Sequence, residues 1–226
     1  MSVRTYLSEL PLSPELAAEV FRERTGFYGP PLDVNRLLAK LEDCERLDVD
    51  IDASGYLVPA GILGKSNIIV VAKSASRQRA RFTVAHELGH LALLVSPVFL
   101  EGPDEEMWCD SFATALLMPR SHVLAFAEQA RELEDWISFR SRFAVSLSAA
   151  ARRVWECCRV ALVVHNPKKP AENEKFAQPF AELLTTGQLL ETPGDHHGVS
   201  SSGAPYLIRR DERGQFVGIA DCRLKT

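Results

Sequence analysis

Arg81-Phe82-Thr83-Val84-Ala85-His86-Glu87-Leu88-Gly89-His90-Leu91 contains a His-Glu-x-x-His pattern. On a helix, residues four apart lie one above the other on one face. His86 and His90 can therefore present two imidazoles to one metal ion. Glu87 sits one step round, close enough to take the proton of a water that such an ion activates. The flanking segment, Phe82 to Val95, has no proline and is apolar apart from Thr83 and the motif. That pattern predicts a helix buried on most sides. Imidazole and carboxylate groups are costly there unless something pairs with them.

Hydrolytic zinc sites usually take three protein ligands and leave a fourth position open. A third candidate lies in Glu105-Glu106-Met107-Trp108-Cys109-Asp110-Ser111-Phe112-Ala113-Thr114-Ala115-Leu116-Leu117-Met118-Pro119, which also looks helical, with Trp108, Phe112 and Ala115 on one side. Glu106 and Asp110 are four apart and share a face, so Glu106 is read as the third ligand. Asp110 is then placed to accept the free ring N–H of a ligand histidine and fix its orientation. Glu105 competes for the ligand role but lies about 100° round the helix from Glu106. A solvated acidic helix start, favoured by the helix dipole, is the other reading of these acids. It fits Asp104 and Glu105 better than Asp110, which sits inside an apolar run. Zn2+ is the expected ion, although two imidazoles and a carboxylate also accept Mn2+ or another divalent metal.

These segments together resemble the ImmA/IrrE family of bacterial and phage metallopeptidases. Arg79-Ala80-Arg81-Phe82-Thr83-Val84-Ala85-His86-Glu87-Leu88-Gly89-His90 is similar to the family's R-x-R-F-x-x-A-H-E-L-G-H. The later segment from Glu106 to Pro119 is similar to E-x-x-A-[ND]-x-F-A-x-x-L-L-M-P, and Phe143-Ala144-Val145-Ser146 to the Phe-x-Val-Ser that follows. Cys109 stands where alanine is usual. The resemblance spans roughly residues 30 to 157. It implies a compact mixed α/β domain of the zincin type. It also implies a cytoplasmic protease that cuts a helix-turn-helix repressor and so switches genes on, for instance in a stress response.

Composition is that of an ordinary globular protein: 46% hydrophobic, 25% charged. A net charge of -4 gives no general pull toward nucleic acid or anionic membranes. Nothing approaches a membrane span of roughly 18 apolar residues, and Met1 to Leu12 lacks a signal-peptide core. The five cysteines (Cys44, Cys109, Cys157, Cys158, Cys222) are odd in number and scattered, which suits reduced thiols in the cytoplasm.

Residues 1 to 46 read as mostly helical. Ser13-Pro14-Glu15 starts a helix with Leu16, Val20 and Phe21 as its apolar stripe, and Asp33 caps a second carrying Val34, Leu37, Leu38 and Leu41. Strands are expected from Leu47 to Ile51, at Tyr56-Leu57-Val58, and over Ile68-Ile69-Val70-Val71-Ala72. The last precedes the metal helix, and its edge is a candidate to hold an extended substrate by strand addition. Arg77, Arg79 and Arg81 oppose the helix dipole, so pairing with local carboxylates is expected, with substrate binding the other reading. His122 is read as a surface histidine near a helix start.

Residues 132 to 157 have helix-turn-helix proportions, with Arg140, Arg142, Arg152 and Arg153 and no acid from Phe139 to Trp155. A DNA-binding reading is available, but packing on the catalytic domain is preferred. A strand is expected over Arg159 to His165, a linker over Asn166 to Glu174, a flexible loop over 192 to 205 with His196-His197, and a hairpin formed by Tyr206-Leu207-Ile208 and Phe216-Val217-Gly218-Ile219.

The fold class expected is α+β: a zincin-like metallopeptidase domain over 1–130, a helix-turn-helix-like pair over 131–158 packed on it, and a small α/β region over 159–226. The expected function is metal-dependent cleavage of a cytoplasmic protein substrate, with Glu87 as catalytic base, His86, His90 and Glu106 on the metal, and Asp110 behind them. The rival is a metal-binding regulator that grips a repressor, another protein or DNA without cutting it.

Overall fold

The computed structural model describes residues 1–96, 100–165, 194–199, 205–210 and 216–221. The chain divides into two compact units, one of Met1–His122 with Phe143–Val145, the other of Val123–Arg142 with Ser146–Thr226. No helix among the described residues is long and apolar enough to cross a membrane. The architecture is α+β, as the hydrophobic patterning requires.

The first unit carries helices α1 (Val3–Leu7), α2 (Pro14–Thr25) and α3 (Val34–Leu38), strands β1 (Cys44–Val49), β2 (Gly55–Val58) and β3 (Asn67–Ala72), then α4 (Arg77–Val95) and α5 (Pro103–Leu117). Asp33 caps α3 as expected, accepting the backbone N–H of Asn35 and Arg36. The stripe of α2 differs from the expectation. Leu16 is exposed, and the buried residues are Ala17, Ala18, Phe21, Arg22 and Thr25. Small alanines among them let α2 lie against α5, where Phe21 meets Phe112 at 6.2 Å and Trp108 stacks on Phe112 at 5.3 Å.

The sheet order is β1-β3-β2, with β1 parallel and β2 antiparallel to β3. The continuous β-branched run of β3 is explained by its central place, since Ile69, Val70 and Val71 are all buried. This corrects one expectation. The strand before the metal helix has neighbours on both sides, so it offers no edge for strand addition. The edges of this sheet are β1 and β2, and β2 is the one that packs along α4.

The arginines before the motif also differ from expectation. Arg81 is buried and donates to three backbone carbonyls, those of Leu32 (2.6 Å), Ala144 (3.1 Å) and Phe143 (3.2 Å). Arg79 donates to the Ser54 hydroxyl at 2.9 Å and 3.2 Å. Hydroxyl and carbonyl oxygens thus take the place of the expected carboxylates at these two arginines. A planar guanidinium with five donors can bond several carbonyls at once, which is what a loop end with open acceptors needs. Ser76 caps α4 by accepting the Arg79 N–H at 3.2 Å, which supplies the helix start with an acceptor.

The second unit holds most of α6 (Arg120–Gln129) and of α7 (Leu133–Phe143), then α8 (Leu147–Cys158) and strands β4 (Val160–His165), β5 (Gly194–Val199), β6 (Pro205–Arg210) and β7 (Phe216–Asp221). Phe126 meets Trp136 and Phe139 edge-on at 5.8 Å and 5.1 Å. Ser146 caps α8 through the Ala149 N–H. The second sheet runs β4-β7-β6-β5, all antiparallel. The expected hairpin of β6 and β7 is present. The flexible loop expected over 192 to 205 is overturned for Gly194–Val199, which pairs with β6 residue by residue; cross-strand hydrogen bonding outweighs the poor strand propensity of Gly and Asp there. The linker expected over 166 to 174, and Cys222, lie outside the described residues.

The basic face of α7 and α8 is smaller than the sequence suggests. Arg153 is buried, and Arg152 pairs at 2.8 Å with Glu156, one residue past the acid-free run.

Candidate metal centre

Gly89 explains how two helices come to share a site. A Cβ built on Gly89 would lie 3.0 Å from the Cys109 Cα and 3.1 Å from its Cβ. A side chain there would require α5 to give way by a few tenths of an ångström, so glycine permits the closest seat of α5 on α4. Cys109 is wholly buried at this contact. Glu105, Glu106 and Asp110 flank it and are thereby carried to the face of α4 that bears His86 and His90.

The donor atoms converge. His86 Nε2 and His90 Nε2 are 3.1 Å apart. Glu106 Oε2 lies 3.2 Å from His86 Nε2, and Glu106 Oε1 lies 3.4 Å from His90 Nε2. One ligand atom from each of His86, His90 and Glu106 falls within a common 4.8 Å, and these three residues form the group that could hold a metal ion among the described residues. The far side of each ring is also engaged. His86 Nδ1 is 2.8 Å from Asp110 Oδ1, and His90 Nδ1 is 2.7 Å from Glu105 Oε1. With both Nδ1 atoms taken by carboxylates, both Nε2 lone pairs are directed to the shared point. This donor set, two imidazoles and a carboxylate with an open side, fits a divalent ion of the zinc class.

Electrostatics follow from burial against charge. Burial pulls the His86 pKa down, but the hydrogen bond to Asp110 and the charges of Glu87, Asp110 and Glu106 outweigh it, so the pKa lies above its ordinary value. Glu87 is 5% exposed. Burial pushes its carboxyl pKa up, the two histidines pull it down, Glu106 pushes it up again, and the Leu57 backbone N–H that it accepts pulls it down; the net direction is up. A carboxylate so held is a better proton acceptor than an exposed one.

The cleft beside the cluster is bordered by Ser54, Gly55, Arg79, Phe82 and Thr83 together with His86, Glu87 and Asp110. Gly55 is required by space: a Cβ there would come within 2.4 Å of both Thr83 Cγ2 and the Val70 carbonyl oxygen. Strand β2 thus lies directly on α4, and its Leu57 N–H, turned away from β3, reaches Glu87.

The residues singled out in the sequence are gathered here: His86, Glu87, His90, Glu106 and Asp110 lie in one place. His122 does not join them; its Nε2 is 2.6 Å from the Tyr28 carbonyl oxygen. Two features escaped sequence reasoning, the contact of Glu105 with His90 and the Leu57 N–H on Glu87. The first had a legible signal, since two antiparallel helices with two histidines need one acid for each. The second depends on which strand borders α4, and no local pattern gives that.

A family model described as "Peptidase_M78: IrrE N-terminal-like domain" matches residues 36–154, more than half of the chain. Among solved structures, a Mycobacterium tuberculosis transcriptional regulator is similar with a TM-score of 0.58 at 16% identity, over 96% of this chain and 79% of that one. At that identity the likeness is one of fold. No curated protein sequence matches the chain.

Proposed function

The chain belongs to the M78 peptidase family, with an IrrE N-terminal-like domain, and from that premise we propose that it is a metal-dependent endopeptidase. The observation that carries this reading is the convergence of His86, His90 and Glu106 beside a buried Glu87. A regulator that only gripped its partner would have no use for a buried carboxylate next to the ligand set.

His86, His90 and Glu106 would hold the ion, with zinc the first choice by donor type and manganese or another divalent metal also accepted. Once bound, it supplies Lewis acidity, lowering the pKa of water toward neutrality and polarising a carbonyl. Glu87 accepts the proton of the attacking water and returns it to the leaving amine. Asp110 holds the His86 ring through Nδ1, keeping Nε2 free as a donor. The substrate is a protein, and a repressor of the helix-turn-helix kind is our choice. The sequence resemblance supports it, as does the likeness of fold to a transcriptional regulator. Cleavage of such a repressor in the cytoplasm derepresses its genes. An extended segment is accommodated along β2, the edge strand at the cleft.

Metal content of protein purified without added metal or chelator tests the site, run beside His86→Ala, Glu106→Ala and Glu87→Gln. About one ion per chain is expected in the parent, with strong loss in the first two variants and retention in Glu87→Gln. Glu87→Gln should then fail to cleave a co-expressed repressor that the parent cleaves. Full cleavage by Glu87→Gln would remove the mechanism, and a parent that takes up neither zinc nor manganese would remove the metal site.

A further inference from the structure

We infer that Glu105 is a second positioning residue of the centre: it holds His90 as Asp110 holds His86, so that each ligand imidazole has its own carboxylate. The inference rests on the metal-site reading above and goes beyond its ligand set. Its basis is geometric. Glu105 Oε1 is 2.7 Å from His90 Nδ1, as short as the 2.8 Å between Asp110 Oδ1 and His86 Nδ1.

The pairing follows from how α4 and α5 run. The later histidine meets the earlier acid, so the helices are antiparallel at the site. Four residues of α4 rise about 6 Å from His86 to His90, and five residues of α5 rise about 7.5 Å from Glu105 to Asp110. The two spans nearly match, and the Gly89–Cys109 contact lies between them. Glu106, one step round from Glu105, faces both Nε2 atoms instead. Neighbouring glutamates thus divide the work, one toward the ligand side of the rings and one toward the far side.

Glu105 is also the less exposed of the two, its side chain 34% exposed against 62% for Glu106. That ordering is unexpected for a merely solvated acidic helix start. An imidazole bound through Nε2 keeps its proton on Nδ1, and that N–H donates to Glu105. Removing the acceptor frees the ring to rotate and to take the other tautomer, in which Nε2 carries the proton and cannot ligate.

The test uses the full chain as parent, Glu105→Ala, Glu105→Gln and Glu105→Lys, titrated with zinc against a chromophoric chelator. Outer partners of ligand histidines typically change affinity by about 10- to 100-fold. Glu105→Ala and Glu105→Lys, neither able to accept, are expected to lose affinity in that range. Glu105→Gln, whose amide oxygen still accepts, should stay within about threefold of the parent. The second readout is the imidazole Nδ1–H of His90 in zinc-loaded, 15N-histidine protein. It should remain protected from exchange in the parent and Glu105→Gln and be lost in Glu105→Ala and Glu105→Lys, while the His86 Nδ1–H persists in all four. Unchanged zinc affinity in Glu105→Ala and Glu105→Lys would overturn the inference. So would equal loss in Glu105→Gln and Glu105→Ala, which would make Glu105 a bare charge. A parent that binds no zinc would overturn the metal-site reading itself, so the two failures are told apart.

Discussion

Gly89→Ala separates the packing of the two site helices from the chemistry of the ligands. The added Cβ would sit 3.0 Å from the Cys109 Cα, 3.1 Å from its Cβ and 3.2 Å from its Sγ. Carbon atoms pack at about 3.5 to 4.0 Å, so the helices must part by about 0.5 Å. Two opposed terms set the stability. Alanine gains about 1 kcal/mol of helix propensity over glycine. Overpacking a full core costs about 1–3 kcal/mol. The net is a loss of between nothing and about 2 kcal/mol for the metal-free protein. A metal held by His86, His90 and Glu106 would be less forgiving, since ligand distances in such sites lie within about 0.2 Å of fixed values. An opening of about 0.5 Å carries Glu106 away from both histidines, so zinc affinity should fall by about tenfold or more. Urea denaturation of the metal-free protein and zinc competition titration measure the two quantities on one sample. Adding Cys109→Ala should not restore affinity, since it removes Sγ and leaves the closer Cα and Cβ contacts. A variant about 1 kcal/mol more stable than the parent, with unchanged zinc affinity, would refute the claim that this glycine sets the helix spacing.

Arg81→Lys keeps the charge but cannot reach the carbonyls of Leu32, Phe143 and Ala144 together. Leaving buried acceptors unpaired costs about 1–3 kcal/mol. A loss near the upper end is expected in urea denaturation, and one below about 1 kcal/mol would show that water replaces the guanidinium. Alkaline pH should weaken the fold through Cys44. Burial, then Asp43 and Glu45, push its thiol from 9.0 up to about 12. Between those values the unfolded chain has released the proton and the folded chain retains it. Stability therefore falls as pH rises through that window, by at most about 1.4 kcal/mol per unit from this group. Denaturation midpoints of the parent and Cys44→Ala at pH 8 and pH 10 measure it; equal slopes would sink the assignment.

The site was largely legible in the sequence because its residues are local in the chain. A four-residue spacing puts two groups on one helix face whatever else the protein does, so His86 with His90 and Glu106 with Asp110 needed only the two helices. Apolar periodicity supplied those, since Trp108, Phe112 and Ala115 are buried as read. What local spacing cannot give is how one helix lies on another. Glu105 therefore read as a rival to Glu106 and not as the neighbour of His90. Arg81 misled for a related reason. Its charge suggested a carboxylate, but its partners are backbone carbonyls of residues 49, 62 and 63 positions away in sequence, and carbonyls leave no mark in a sequence.

Strand order is the other quantity a one-dimensional pattern withholds, and here it bears on function. The β-branched run before the metal helix marks β3 as buried, and burial on both faces goes with a central position. A central strand has its hydrogen bonds taken on both sides, so it cannot receive a further chain. The duty of bordering the cleft falls to β2, only four residues long and led by Gly55. Glycine at that position follows from Thr83 and the Val70 carbonyl oxygen, each 2.4 Å from where a Cβ would be. The close seat it permits brings the Leu57 N–H to Glu87. One backbone group of the edge strand is thus spent on aligning the carboxylate that the proposed reaction uses as its base, so any segment lying along β2 is brought up against that same carboxylate.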